Sequence, residues 1–336
     1  MKLTSGKLAG LKAVSDDRGV IAAAAMDQRG SLSKYIANLR GGTSDDHDLV
    51  LFKELVTMVL TRHASAILLD PEYGLPATHL RNNAGLLLAY EKTGYDATTP
   101  GRLPDLLDHW SVRRLKEEGA DCIKILLYYS PFEASHINDF KHAWVERIGD
   151  ECNYHDIPFF LETVGYDVRG TGEKTLSYAK QKPMVVSGSM AEFGKERYSV
   201  DVLKVEVPVE MAFVSGTRSF KGARAYTREE ALQHFRDAES MTDKPFIYLS
   251  AGVTNEVFTE TLELAGESGT KYSGVLCGRA TWYDGIKVFA QNGGKAFEEW
   301  LEDEGTRNIE NVNKALKAAT PVYEKLGAKS FDELAR

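Results

Sequence analysis

Val202-Leu203-Lys204-Val205-Glu206-Val207-Pro208 is an apolar run broken by two charges on one side. Period-two alternation puts Val202, Lys204 and Glu206 on one face and Leu203, Val205 and Val207 on the other. A strand covered on both faces reads as nearly continuous Val, Ile and Leu, so a lysine inside it must face an interior or a mouth where desolvation is costly. Two more runs repeat the pattern: Cys122-Ile123-Lys124-Ile125-Leu126-Leu127, with Lys124 on the face of Cys122, and Phe159-Phe160-Leu161-Glu162-Thr163-Val164, with Glu162 opposite in facing to Leu161. In each, charges point inward and aliphatics point outward toward helices.

Working outward, eight apolar runs of strand length occur, at about 20–26, 65–70, 85–90, 121–128, 157–163, 201–207, 245–251 and 273–278. Between them lie helical segments near 46–62, 104–118, 136–154, 172–182, 228–240 and 254–267, with capping side chains at Ser44-Asp45-Asp46 and Thr254-Asn255. The stretch 71–84 has a weaker helical pattern. No Gly-x-Gly-x-x-Gly turn follows the first run, so the repeated βα order predicts an α/β fold of the (β/α)8 TIM-barrel type, not an open doubly wound sheet. The expected organisation is one domain over 1–336, with the barrel at about 15–285 and a C-terminal helical appendage at about 286–336. Helices near 294–303, 307–318 and 320–326 are expected to pack outside the barrel.

Composition narrows the function classes. A chain of 336 residues, 43% hydrophobic and 10% aromatic, buries a core large enough for a barrel. A net charge of −8 argues against nucleic acid or an anionic membrane as partner, so an anionic ligand needs a local cluster of Lys and Arg. Cys122, Cys152 and Cys277 are odd in number and form no Cys-x-x-Cys pair, which predicts buried thiols in a reducing compartment. Cys277 reads as inward but has no histidine beside it to make a nucleophile. Residues 1–18 lack an export-type apolar core, and 20–26 is too short to span a bilayer, so the expected location is cytoplasmic. The eight histidines form no His-x-x-x-His pair and close no apolar strand, so neither a metal centre nor a cofactor is expected.

Barrel enzymes carry reactive groups at the C-terminal ends of strands, where this chain has Asp27, Asp70, Lys124, Glu162 and Lys204, with Arg279 just past the eighth run. An amine at that mouth attacks a ketone to form an iminium, whose nitrogen accepts the electrons released when the adjacent carbon–carbon bond breaks. Lysine is protonated at neutral pH, so such a nucleophile needs apolar walls and a second cation nearby, which the Lys124 strand supplies to Lys204. Glu162 lies between them in strand order, placed to move protons, and Asp27 to accept a hydroxyl proton. The loops after the seventh and eighth runs, Leu249-Ser250-Ala251-Gly252-Val253 and Leu276-Cys277-Gly278-Arg279-Ala280, suit a phosphate: glycines admit backbone amides and Arg279 adds a bidentate charge. Tyr128-Tyr129 and Trp282-Tyr283 read as rim packing, and the acidic residues of 298–304 as a solvated helix face.

The chain resembles the Schiff-base, class I tagatose-1,6-bisphosphate aldolase family. The resemblance rests on Met26-Asp27-Gln28-Arg29-Gly30, Leu68-Leu69-Asp70-Pro71-Glu72-Tyr73-Gly74, Tyr90-Glu91-Lys92-Thr93-Gly94-Tyr95-Asp96, the Lys124 and Glu162 strands, 202–208, 250–253 and 277–282. It implies metal-free cleavage of D-tagatose 1,6-bisphosphate to dihydroxyacetone phosphate and glyceraldehyde 3-phosphate, with Lys204 forming the iminium. Asp27, Lys124 and Glu162 then act as acid/base groups. Arg279, Ser250 and Gly278, with Gly252 in the same loops, hold the ketone-side phosphate, and Gln28 and Arg29 contact substrate. The expected partner is a small phosphorylated sugar, the expected assembly a homo-oligomer, and related ketohexose bisphosphates are accepted. The basic loop 216–224 has no firm family equivalent and reads either as a solvated loop or as a holder of the distal anion. An aldolase for a sulfonated ketose phosphate, and a regulatory barrel with residual activity, are the other readings.

Overall fold

Each of the eight apolar runs forms a parallel strand bonded to the next, and the last bonds to the first, so the sheet closes with no edge. The computed structural model describes residues 2–92 and 99–336, so Thr93 to Asp96 of the family motif lie outside the described residues. Helix α1 (Ser5–Ala13) precedes β1 (Ile21–Met26), and α2 (Gly30–Arg40) and α3 (Asp46–Leu60) lead to β2 (Ala66–Leu69). A 3-10 turn, Leu75–Leu80, leads to β3 (Gly85–Ala89), followed by α4 (Val112–Glu117), β4 (Cys122–Tyr128), α5 (Ser135–Tyr154) and β5 (Phe159–Val164). Then come α6 (Leu176–Phe193), β6 (Val202–Val205), α7 (Arg228–Glu239), β7 (Phe246–Leu249), α8 (Asn255–Ser268) and β8 (Gly274–Cys277). After the barrel lie α9 (Arg279–Trp282), α10 (Gly285–Trp300), α11 (Thr306–Ala315) and α12 (Val322–Lys325). No helix among the described residues is long and apolar enough to cross a membrane.

Alternation sorts the strands into two layers. Ala23, Leu68, Leu87, Phe160, Val202 and Leu276 fill the barrel interior, while Leu69, Leu88, Leu161, Leu203 and Val205 join the outer core under the helices. Cys277 belongs to that outer core, against the expectation that it faces inward. Three consecutive apolar residues hide the alternation there, and closure settles it: Leu276 is the register partner of inward Ala23.

Helix ends follow local chemistry. Asp45 and Asp48 form a reciprocal capping box at the start of α3, as do Thr227 and Glu230 at α7. The helix expected at 172–182 starts instead at its Thr175 cap and runs on to Phe193 through Pro183. Proline lacks the N–H that would reach the Ala179 carbonyl, and the Tyr226 hydroxyl donates to that carbonyl instead. The helix expected at 104–118 shrinks to Val112–Glu117, because Asp105 and Asp108 are drawn to Lys92 Nζ at 3.0 and 2.7 Å.

The chain ends depart furthest from expectation. Helix α1, absent from the sequence reading, lies across the N-terminal ends of β4 and β5, where a side chain on Gly10 would sit 2.3 Å from the Asp121 carbonyl. Helices α10 and α11 do pack outside, with Phe297 stacked on Phe52 at 4.3 Å. Helix α10 begins nine residues before the expected 294, which coincides with a break at Gly293 (φ 83°). The final segment does not stay outside: Val322, Phe331 and Leu334 join Leu3, Leu11 and Val14 in the interior cluster and plug the bottom. Burial of each such aliphatic or aromatic side chain is worth roughly 1.5–3 kcal/mol, which is why the tail covers the barrel floor.

Candidate active site

At the C-terminal mouth the strand register brings the inward charges together. Glu162 of β5 and Lys204 of β6 are register partners, so their side chains rise side by side, with Lys204 Nζ 2.9 Å from Glu162 Oε2. Lys124 pairs in register with Phe160, one layer deeper, and its four-carbon stem reaches up to the same Glu162 oxygen at 2.7 Å. Its Nζ donates hydrogen bonds to Asp27 Oδ2 and Glu91 Oε1, both at 2.8 Å, while its contact with Glu162 is an ion pair. One carboxylate oxygen thus serves two lysines, and one lysine serves three carboxylates.

The electrostatics divide these groups. Burial pulls the Lys124 ammonium down, but Asp27, Glu162 and Glu91 together outweigh it and hold it well above the ordinary lysine value. Lys124 is therefore a fixed cation and unsuited to nucleophilic attack. Burial pushes Asp27 up, yet Lys124, Lys204 and Lys53 more than offset this and leave it below the ordinary carboxylate range. Glu91 bonds to the same Lys124 at the same distance but is raised: burial dominates, and the Asp27 charge adds to it.

The predicted residues do not all meet. Asp27, Glu162 and Lys204 open onto a cavity of about 420 Å³, with Lys124 beneath them. Gln28, Ser250, Gly278 and Arg279 also line it. Gln28 Oε1 is buried there with no hydrogen-bond partner among the described residues, which suits a substrate hydroxyl. Gly252 has φ 74°, and a side chain on it would lie 2.7 Å from the Arg279 guanidinium carbon. A side chain there would push the guanidinium aside, and the left-handed backbone itself favours glycine. Trp282 Nε1 donates to the Ala25 carbonyl at 2.9 Å and Thr281 Oγ1 to the Gly278 carbonyl at 2.7 Å, locking the Arg279 turn onto β1.

Asp70 and Arg29 lie elsewhere. Asp70 is fully buried in an ion pair with Lys53 at 2.7 Å, and Lys53 donates hydrogen bonds to the Met26 and Gln28 carbonyls, so this pair braces the end of β1. Arg29 is also buried, donating to Glu72 Oε2 at 2.5 Å and to the Glu91 carbonyl at 2.7 Å, and it is not among the cavity-lining residues. It orients Glu91. No residue of loop 216–224 lines the cavity, and Arg218 pairs instead with Glu260 and Glu263. Tyr128, by contrast, lines the mouth while Tyr129 packs outward against His142 and Phe193.

Glu91 and Lys53 escaped the sequence reading. Glu91 directly follows an apolar run, as Asp27 does, and that placement was the available signal. Lys53 sits on a helix among apolar neighbours, where a buried charge cannot be told from an exposed one without knowing the helix's rotation. No group of three or more His, Cys, Asp or Glu side chains arranged to hold a metal occurs among the described residues.

The sequence model of the DeoC/LacD family aldolases matches residues 21–284. A tagatose 1,6-diphosphate aldolase of Listeria innocua is 51% identical over 336 residues, spanning 99% of this chain and 98% of that protein. Tagatose 1,6-diphosphate aldolase 2 of Enterococcus faecalis is 55% identical over 320 residues, spanning 95% and 96%. Among solved structures, fructose-bisphosphate aldolase from Plasmodium falciparum aligns with a TM-score of 0.69 over 95% of this chain and 97% of that one, at 15% identity, a likeness of fold.

Proposed function

Because this chain belongs to the DeoC/LacD aldolase family, we propose that it cleaves D-tagatose 1,6-bisphosphate to dihydroxyacetone phosphate and glyceraldehyde 3-phosphate through an iminium on Lys204. The observation that carries this reading is the Glu162 oxygen shared by Lys204 and Lys124 at the cavity floor.

Lys124 remains charged, which leaves Lys204 as the amine that gives up its proton, and Glu162 is the acceptor within reach. Attack of Nζ on the ketone carbon gives a carbinolamine. Glu162 returns the proton to the departing hydroxyl, water leaves and the iminium forms. Asp27, ionised because Lys124 holds it so, takes the proton of the C4 hydroxyl as the C3–C4 bond breaks. The electron pair passes into the iminium as an enamine, and glyceraldehyde 3-phosphate departs. Protonation at C3 and hydrolysis then release dihydroxyacetone phosphate and regenerate Lys204. Arg279, Ser250 and the Gly278 backbone hold the ketone-side phosphate, and Gly252 leaves room for the Arg279 guanidinium. No step calls on a metal, so turnover persists in chelator.

The iminium fixes only the ketone carbon, so related ketohexose bisphosphates are accepted alongside tagatose. Borohydride reduction in the presence of dihydroxyacetone phosphate tests the reading: one adduct is expected, on the peptide containing Lys204. An adduct on Lys124, or none, overturns it.

A further inference from the structure

A net charge of −8 means that any anion this chain binds must meet a local concentration of cations. One such concentration lies far from the mouth. Beside the barrel floor, a cavity of about 750 Å³ is lined by Lys2, Lys7, Lys195, Lys244, Lys325 and Arg336, against the carboxylates of Glu196, Asp201 and Asp243. It shares no lining residue with the mouth cavity and has no part in the chemistry above.

The three deepest ammonium groups are unequally satisfied. The Lys7, Lys244 and Lys325 side chains are only 10%, 13% and 9% exposed, so each has lost most of its hydration. Lys7 is compensated by Asp201 at 2.6 Å. Lys244 lies 3.5 Å from Glu196, and Lys325 lies 3.5 Å from Glu239, both beyond the roughly 2.7–2.9 Å of a well-formed charge-assisted bond. The Glu196 side chain is itself 86% exposed, so water screens its attraction for Lys244. Asp201 also feels Lys244, but it is already bonded to Lys7 and to the Phe159 N–H. Lys325 adds only the face of Phe246, with the ring centroid 5.5 Å from Nζ. Lys244, just before β7, and Lys325, on α12, thus reach this cavity from separate segments with no close acceptor among the described residues.

We propose that this cavity is a second binding site, for a small phosphorylated molecule carrying two or more negative charges, with a phosphate held by Lys244 and Lys325 and with Lys195 adding charge at the rim. A phosphate oxygen is the strong acceptor that both buried ammonium groups lack. Its entry strands no buried charge: Glu196 and Asp243 are exposed and turn to water, while Asp201 keeps Lys7. The volume suits a small molecule, since ligand pockets run to about 300–1,000 Å³. A polymeric anion or a membrane surface would meet the acidic remainder of the chain instead. The bound molecule ties the segment before β7 to α12, so it favours the folded state by mass action.

The test titrates inorganic pyrophosphate, by calorimetry, into Arg279→Met, which lacks the arginine at the mouth, and into the same protein carrying Lys244→Met, Lys325→Met or Lys195→Met as well. Arg279→Met is expected to bind the probe with a Kd below about 1 mM. Lys244→Met and Lys325→Met are each expected to raise that Kd at least about tenfold, the loss of one charged contact, and Lys195→Met about threefold. Lys195 is 54% exposed, so its variant keeps the test open if the deeper two fail to fold. An increase of the expected size in any variant supports the proposal; smaller changes in every variant that folds, or no binding by Arg279→Met, overturn it. In the otherwise wild-type chain, Lys244→Met is expected to leave kcat within about twofold, and a tenfold drop would overturn the separation of this site from the reaction.

Discussion

The barrel opens at its C-terminal mouth into a cavity lined with lysines and carboxylates, and a second such cavity lies beside the sealed lower end, among α1, the segments before β6 and β7, and the tail. The one at the C-terminal mouth measures about 420 Å³, and the one at the N-terminal end about 750 Å³. At the lower end each well-buried ammonium answers to one carboxylate, and each pair ties two segments together. Lys7 of α1 meets Asp201, just before β6, at 2.6 Å, and Asp201 also accepts from the Phe159 N–H. Lys325 of α12 reaches Glu239 of α7 at 3.5 Å. At the upper end one oxygen of Glu162 serves two lysines, and Lys124 serves three carboxylates. A closed pair has a single favoured proton arrangement, whereas a shared acceptor offers several of similar energy, and those are what a proton relay needs. On the proposed reading, competition for one atom, rather than cavity size or a buried ion pair, is what sets the mouth apart from the floor.

The contrast is sharpest at Lys204. Lys204→Met is expected to lower kcat/KM by at least about 10,000-fold, while the thermal midpoint moves by no more than about 2 °C, since Glu162 keeps Lys124 as partner. A large loss of stability with residual turnover would mean that the mouth is held together as the floor is. Lys124→Met comes next. Removing the cation that all three carboxylates share is expected to cost about 3–5 kcal/mol in urea denaturation, along with activity.

The mirror experiment at the floor is Lys7→Met, with an expected cost of about 2–3 kcal/mol and kcat within about twofold of wild type. A tenfold drop in kcat at unchanged stability would erase the distinction between the ends. The smallest effect is one of pH. Burial raises the Glu91 carboxyl above its ordinary 4.5, so the folded protein retains a proton that the unfolded chain has released. The unfolded state then binds fewer protons, and this group's contribution to stability falls as pH climbs from 4.5 through the folded pKa. Glu91→Gln is expected to remove that decline, seen as a stability difference from wild type that grows with pH over this window and then levels off. A difference running the other way would show Glu91 ionised beside Lys124.

Much of the upper end was legible in the sequence because strand alternation is a local property. Lys124, Glu162 and Lys204 each break an apolar run at an inward position, and Asp27 closes one. Asp70 closes a run in the same manner and was grouped with them, yet Lys53 takes it out of play. Alternation tells which way a side chain leaves the strand and nothing about the helix that meets it. The floor was hardly legible at all: α1 is short and contains Gly6 and Gly10, and the sequence reading left the tail outside.

Eight parallel strands, the inward facing of the charges and their gathering at the strand C-termini came from chain order and residue pattern, because a pleated strand alternates whatever surrounds it. That one Glu162 oxygen stands between two lysines, that Arg29 and Asp70 are braces, that Cys277 faces the helices and that the tail seals the floor came from ring closure. Closure sets which layer each residue occupies relative to strands far away in sequence, and no local period carries that information.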